Sequence, residues 1–189
     1  TYTCPEETGA TFEENASLKA LHAAKTLNKI VIADDSGLVV PALNNEPGVR
    51  SRRYAGDDAT DAENRKKLLD ALEGKSELHR AAYFECCLVL ATPEGIKKTV
   101  RSTCEGYIIE EERGRNGFGY DPIFVKHDYD KTFAELDEST KNRISHRHKA
   151  VEKMLSSIES CITNRTTSTD RVSEEKQLKT KEQKRNFLR

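Results

Sequence analysis

The run from Ala81 to Ala91 (AAYFECCLVLA) restricts the fold more than any other stretch. It is the most apolar segment of the chain, rich in aromatic and branched residues, and it reads as a central strand. Pro93-Glu94-Gly95 turns it back into a second strand near residues 96 to 110, which makes an antiparallel hairpin. Lys29 to Ala33 (KIVIA) is a second buried strand. It is expected to end at Asp34-Asp35-Ser36-Gly37, with Leu38 to Leu43 resuming as a short extended segment. Helices flank these strands. Thr11 and Glu14 form a capping box ahead of Ala16, Ala20, Ala23, Ala24 and Leu27 at helical spacing. Residues 61 to 73 place Leu68, Leu69 and Leu72 inward, with Gly74 as a stop. A last helix is predicted over about 146 to 161, with Ser145 as its N-cap. Helix, strand and hairpin mix without strict alternation, so the fold class is α/β around a mixed β-sheet with flanking helices.

Length and composition narrow the rest. The 189 residues give one domain, 1–162, and a charged tail, 163–189, that reads as disordered. A net charge of -1 gives the molecule no basic field for nucleic acid. No apolar run of about 18 residues suggests a membrane span, and no signal peptide is visible. The five cysteines are odd in number and lack any C-x-x-C, so they read as reduced thiols. The expected location is cytoplasmic.

Three clusters carry chemistry. The first is Asp34-Asp35-Ser36-Gly37 with the turn Glu6-Glu7-Thr8-Gly9. Successive residues of an extended chain point in opposite directions, so only one aspartate faces a given site unless the chain bends. Magnesium takes a few hard oxygens and shares them with phosphate, and Glu7 plus one of the two aspartates would suffice. Taken by itself, the D-D-S-G string also fits a plain turn, and Lys19 fits an ordinary surface lysine. The second cluster is Phe118-Gly119-Tyr120-Asp121-Pro122. It fits a stacking platform for a base or a buried aromatic turn equally well. The third is Lys141 to Lys149 (KNRISHRHK), expected to collect cations at the first turn of the last helix. The helix dipole prefers anions at that end, so the cluster points to an anion or a carbonyl-rich base edge.

In order, the chain reads Glu-Thr-Gly-x-Thr-Phe-x-Glu-Asn-Ala, Ala-Asp-Asp-Ser-Gly-Leu, Pro-Gly-Val, Arg-Tyr-Ala-Gly, Gly-Phe-Gly-Tyr-Asp-Pro-Ile-Phe and Ser-His-Arg. From about residue 6 to 155 this resembles the purine nucleoside triphosphate pyrophosphatases that act on inosine and xanthosine nucleotides, also called dITP/XTP diphosphatases. The resemblance implies two lobes with a cleft between them and a homodimer. It implies that Glu7 and Asp35 hold Mg2+, with Asp35 as the base. Lys19 would touch the phosphates and Ser36 the substrate. Phe118, Gly119, Tyr120 and Asp121, joined by Lys141, His146 and Arg147, would hold the base and sugar. It also implies a strand and a Ser/Thr-Gly-Asn-x-x-Lys loop that grips the triphosphate. No stretch of the chain matches that loop, so the chain as it stands is expected to hydrolyse triphosphates poorly. The family often has an aromatic and a small residue where this chain has Arg50 and Arg52. The expected activity is cleavage of ITP, dITP and XTP to monophosphate and pyrophosphate. The competing expectation is a nucleotide-binding or dimerisation module without turnover.

Overall fold

A computed structural model of the chain describes residues 2–163. The chain divides after Met154 into two units. Of the second, residues 155–163 are described, and they are helical. The tail expected from residue 163 lies otherwise outside the described residues.

In the first unit the order is α1 (Phe12–Leu27), β1 (Val31–Val39), α2 (Asp61–Ala71), β2 (Ala81–Thr92), β3 (Gly95–Ile108), β4 (Phe124–Lys126) and α3 (Glu138–Ile144), with short 3-10 turns between them. Residues 146–163 are helical, and α4 denotes the part up to 154. The four strands form one sheet in the order β1-β2-β3-β4. Every strand pairing in it is antiparallel. The expected hairpin is present and turns at Pro93-Glu94.

β2 is apolar throughout because both of its faces are covered. Cys87, Val89 and Ala91 pack with Phe12, Ala16, Ala20 and Ala24 of α1. Ala82 and Phe84 join the larger core of Leu38, Leu68, Leu72, Ile108, Phe124 and Phe133. The alanine stripe of α1 lets the helix lie close to the sheet, since small side chains shorten the approach. The Thr11–Glu14 capping box starts α1 as the sequence indicated, and Asn28 in left-handed conformation (φ 53°) ends it. Thr60 and Glu63 form a second capping box that starts α2.

Two local expectations change. The strand expected to stop at Ala33 runs unbroken from Val31 to Val39, with Asp34 opposite Leu88 and Asp35 opposite Cys87. The two aspartates therefore stand in mid-strand, not at a strand end. The strand continues because its polar residues find partners on either face. Gly37 also permits a close approach, since a Cβ there would press on Gly48 O at 2.6 Å. Beyond Val39, Pro41–Leu43 is a 3-10 turn rather than extended chain. In addition, α3 fills a stretch to which the sequence pattern assigns no element. Its Asp137 N-cap accepts a hydrogen bond from Thr140 N at 2.9 Å.

Candidate functional site

A cavity of about 520 Å3 gathers all eleven residues singled out in the sequence: Glu7, Lys19, Asp35, Ser36, Phe118, Gly119, Tyr120, Asp121, Lys141, His146 and Arg147. They come from four separate parts of the chain, and the fold alone brings them together.

At one end, α1 meets β1. Asn15 and Lys19 stand one helical turn apart and both reach Asp35. Asn15 Nδ2 donates to Asp35 Oδ2 at 3.1 Å, and Lys19 Nζ lies 3.3 Å from Oδ1. The same ammonium donates to Glu7 Oε1 at 2.7 Å. Arg53 holds the other Glu7 oxygen at 3.3 Å. Asn15 is fully buried and fixed by Gly9 N, which donates to its Oδ1 at 2.7 Å. Burial raises the Asp35 pKa; Lys19 and Asn15 oppose this without cancelling it. Burial also acts on Glu7, but the bonds from Lys19 and Arg53 outweigh it and lower its pKa. Lys19 in turn is raised, its desolvation outweighed by Glu7 and Asp35. Of two neighbouring carboxylates, Asp35 is thus the better proton acceptor and Glu7 the more firmly ionised.

β1 is an edge of the described sheet, and side chains from both its faces border the cavity. Asp34 points away from Asp35, as alternation requires. It accepts from Ser36 Oγ at 3.2 Å and pairs with the Arg147 guanidinium at 3.2 Å.

The other end is a loop. Gly117 and Gly119 adopt positive φ (78° and 59°), which other residues rarely do. Between them Phe118 is 63% exposed, whereas Tyr120 is buried in the core and donates from its hydroxyl to Ser51 O at 2.8 Å. Of the two readings of the F-G-Y-D string, the buried aromatic turn fits Tyr120, whereas Phe118 presents an exposed ring at the cavity. Asp121 Oδ2 accepts from Phe118 N at 2.8 Å and from Lys141 Nζ at 2.5 Å. The Lys141 ammonium lies 4.8 Å from the Phe118 ring centre and the Arg147 guanidinium 5.8 Å.

The cation cluster is arranged differently from the expectation. Lys141 and Arg143 sit in the last turn of α3, where the dipole favours them, and only the residues from His146 onward belong to the next helix. Ser145 is the N-cap expected there, its Oγ accepting from His148 N at 3.2 Å. The His146 ring stacks on Phe84 with centres 5.0 Å apart, and its Nδ1 has no partner among the described residues. Burial, then the charges of Arg147 and Lys141, push its pKa down to about 3, so the imidazole is neutral at physiological pH.

Sequence reasoning missed Asp61 and Arg65 of α2 altogether. Asp61 Oδ2 accepts from Gly119 N at 2.7 Å, and Arg65 Nη1 donates to Gly119 O at 2.8 Å. Both hold the loop peptide beside Phe118 from outside. Their partner lies more than fifty residues away, and no local pattern announces that.

Five carboxylates (Glu7, Asp34, Asp35, Asp61 and Asp121) and four cations (Lys19, Arg52, Lys141 and Arg147) border the cavity. By this count the lining carries one more carboxylate than cation, which leaves a polyanion to bring further positive charge with it. No three His, Cys, Asp or Glu side chains of the described residues form a complete metal cage. Glu7 and Asp35 nevertheless converge on a single positive centre, the Lys19 ammonium. A two-carboxylate site completed by water and phosphate oxygens suits magnesium.

A sheet with helices on both faces, and a cavity joining a two-carboxylate cluster to an aromatic loop rimmed by cations, defines a nucleotide-handling α/β protein. Residues 1–157 match the Ham1 family, and the chain belongs to it. It is 60% identical to the "dITP/XTP pyrophosphatase" of Protochlamydia amoebophila over 161 residues, covering 84% of this chain and 80% of that protein. It is 54% identical to the protein of the same name from Bacillus licheniformis over 149 residues, covering 79% of this chain and 76% of the relative. The structure of a HAM1 protein from Coxiella burnetii superposes with a TM-score of 0.79 at 47% identity, covering 84% of this chain and 81% of that one. The Ham1 protein of Staphylococcus aureus gives 0.78 at 47% identity, with the same coverage.

Proposed function

We propose that this protein hydrolyses inosine and xanthosine nucleoside triphosphates (ITP, dITP and XTP) to the monophosphate and pyrophosphate, with Mg2+. The observation that carries the reading is the single cavity that joins the Glu7–Lys19–Asp35 cluster to the Phe118 loop. Relatives at up to 60% identity that bear the pyrophosphatase name support it.

Water adds across the anhydride between the α- and β-phosphates, and pyrophosphate leaves. Asp35 takes the proton from that water at Oδ1, since burial has raised its affinity for a proton and Asn15 fixes the other oxygen. Lys19 meets the phosphates with its ammonium. Glu7 and Asp35 would hold magnesium, which would supply charge neutralisation for the polyphosphate. Phe118 stacks on the purine, and Ser36 contacts the substrate from β1. Asp121 and Lys141 hold the base and sugar side. Arg147, oriented by Asp34, donates to the 6-oxo group. Neutral His146 adds one donor through its imidazole. Facing the amino group of adenine, these donors lose their acceptor, at a cost of about 1–3 kcal/mol. A homodimer, a cleft between two lobes and a cytoplasmic location belong to the same proposal.

The test uses the intact enzyme, including any residues that precede Thr1 in the native gene product. Pyrophosphate release from ITP and XTP should exceed that from ATP by at least tenfold, and chelation of magnesium should abolish it. Comparable rates on ITP and ATP would overturn the base assignment, and no pyrophosphate release at all would overturn the activity.

A further inference from the structure

We infer that Arg52 is a binding residue for the polyphosphate of the nucleotide; the inference rests on the nucleotide reading of the cavity. Four cations line that cavity, and three already have carboxylate partners within it. Lys19 is held by Glu7 and Asp35, Lys141 by Asp121, and Arg147 by Asp34. Arg52 lines the same wall, and its guanidinium makes no hydrogen bond or ion pair with any described residue.

The backbone of Arg52 is not loose. Asn64 Nδ2 donates to its carbonyl at 2.9 Å. Its neighbour Ser51 donates to Gly48 O at 2.6 Å and accepts from Leu38 N at 2.9 Å. Its other neighbour, Arg53, is bound to Glu7, at the end of the cavity where Asp35 and Lys19 stand. A fixed anchor therefore carries an exposed, uncommitted cation on the wall of the cavity. The hypoxanthine of ITP is neutral, so the negative charge that this nucleotide brings to such a group is that of its phosphates. A guanidinium presents a planar fork that matches two phosphate oxygens, and a pre-placed anchor reduces the entropy lost on binding. Engagement by the other cations requires them to leave or share a carboxylate, whereas Arg52 gives up only solvent.

The experiment compares wild type, Arg52→Ala and Arg52→Lys in the intact enzyme. Steady-state ITP hydrolysis is followed with magnesium at two ionic strengths. Pyrophosphate and inosine serve as competing ligands, and pyrophosphate binding is also measured directly by calorimetry. Arg52→Ala should raise KM for ITP about tenfold, with kcat within about twofold, as one exposed charge-assisted contact implies. The inhibition constant of pyrophosphate should rise in parallel and that of inosine should hold. Arg52→Lys should recover part of the loss, and the KM of the alanine variant should depend less on salt. Unchanged KM and pyrophosphate affinity would make Arg52 a solvated surface arginine and overturn the inference. An equal loss for inosine would also overturn it, since the residue would then act on the base side or on the fold. If wild type fails to release pyrophosphate from ITP, the functional reading fails instead, and calorimetry alone then decides whether Arg52 binds pyrophosphate.

Discussion

At the Glu7 end of the cavity Lys19 and Asp35 stand on a helix and a strand, with Glu7 held against them from the segment before α1; at the Phe118 end the exposed ring stands on a glycine loop held from outside. Asp35 is fixed by α1 on one side and by pairing with β2 along its backbone. Phe118 is exposed, and its position depends on hydrogen bonds made by Asp61, Arg65 and Asp121 to the loop backbone around it. The contrast separates two tasks. Proton transfer and charge neutralisation need groups fixed to a fraction of an ångström, which regular elements provide. Base recognition tolerates a mobile platform, and loops on a rigid scaffold commonly carry it. Damage at the first end should therefore fall on kcat and damage at the second on KM and base choice.

The largest effect should come from Asp35→Asn. Loss of the base should lower kcat by about 10³-fold or more while Tm at neutral pH holds or rises. Because burial raises the folded pKa of Asp35, the ionised form weakens the fold above the unfolded value, and the amide removes that penalty. An inactive variant with a lowered Tm would instead mark Asp35 as structural. Next, Lys19→Ala should lower kcat by about 10²–10³, as loss of a charge aimed at the reacting group does. A change confined to KM would erase the distinction between the two ends.

At the loop end, Arg147→Ala should reduce the preference for ITP over ATP by roughly tenfold to hundredfold. An unchanged ratio would remove Arg147 as the reader of the 6-oxo group. Asp61→Ala and Arg65→Ala should each raise KM by roughly tenfold, with kcat within about threefold, and Phe118→Ala should resemble them. Amide exchange over residues 115–120 should quicken in the α2 variants, which a simple loss of surface charge would not cause. The smallest effect concerns pH. The folded state resists protonating His146 until about pH 3, whereas the unfolded chain protonates near 6.5. The stability it contributes is present above pH 6.5 and is lost as pH falls toward 3. His146→Gln should flatten the decline of Tm across that window; an unchanged slope would remove His146 as the cause.

The two ends also differ in how far the sequence disclosed them. Thr11 with Glu14, the apolar run to Ala91 and the Ser145 cap each follow from chemistry within a few residues, and each is found. Alternation along β1 sends Asp34 and Asp35 in opposite directions, but the expectation that only one would face the site fails, because both border the same cavity at the edge of the sheet. The strand itself was cut short, because two adjacent aspartates look like a break until Asn15, Lys19 and Arg147 arrive from elsewhere in the chain. Helix α3 escaped notice because Glu138–Ile144 is short and carries no apolar stripe, leaving Asp137 as its only marker. The hold of α2 on Gly119 was illegible for a similar reason, since it joins groups that only tertiary folding makes neighbours. Family motifs named the residues of the cavity; the order of their contacts, and the uncommitted state of Arg52, required coordinates.

The central claim is that the anhydride between the α- and β-phosphates is the bond cut, on a 6-oxo purine. Phosphorus NMR of the intact enzyme turning over ITP with magnesium tests it most directly. The account predicts inosine monophosphate and pyrophosphate in equal amounts from the first turnover, with no diphosphate intermediate. Orthophosphate appearing together with inosine diphosphate would contradict it.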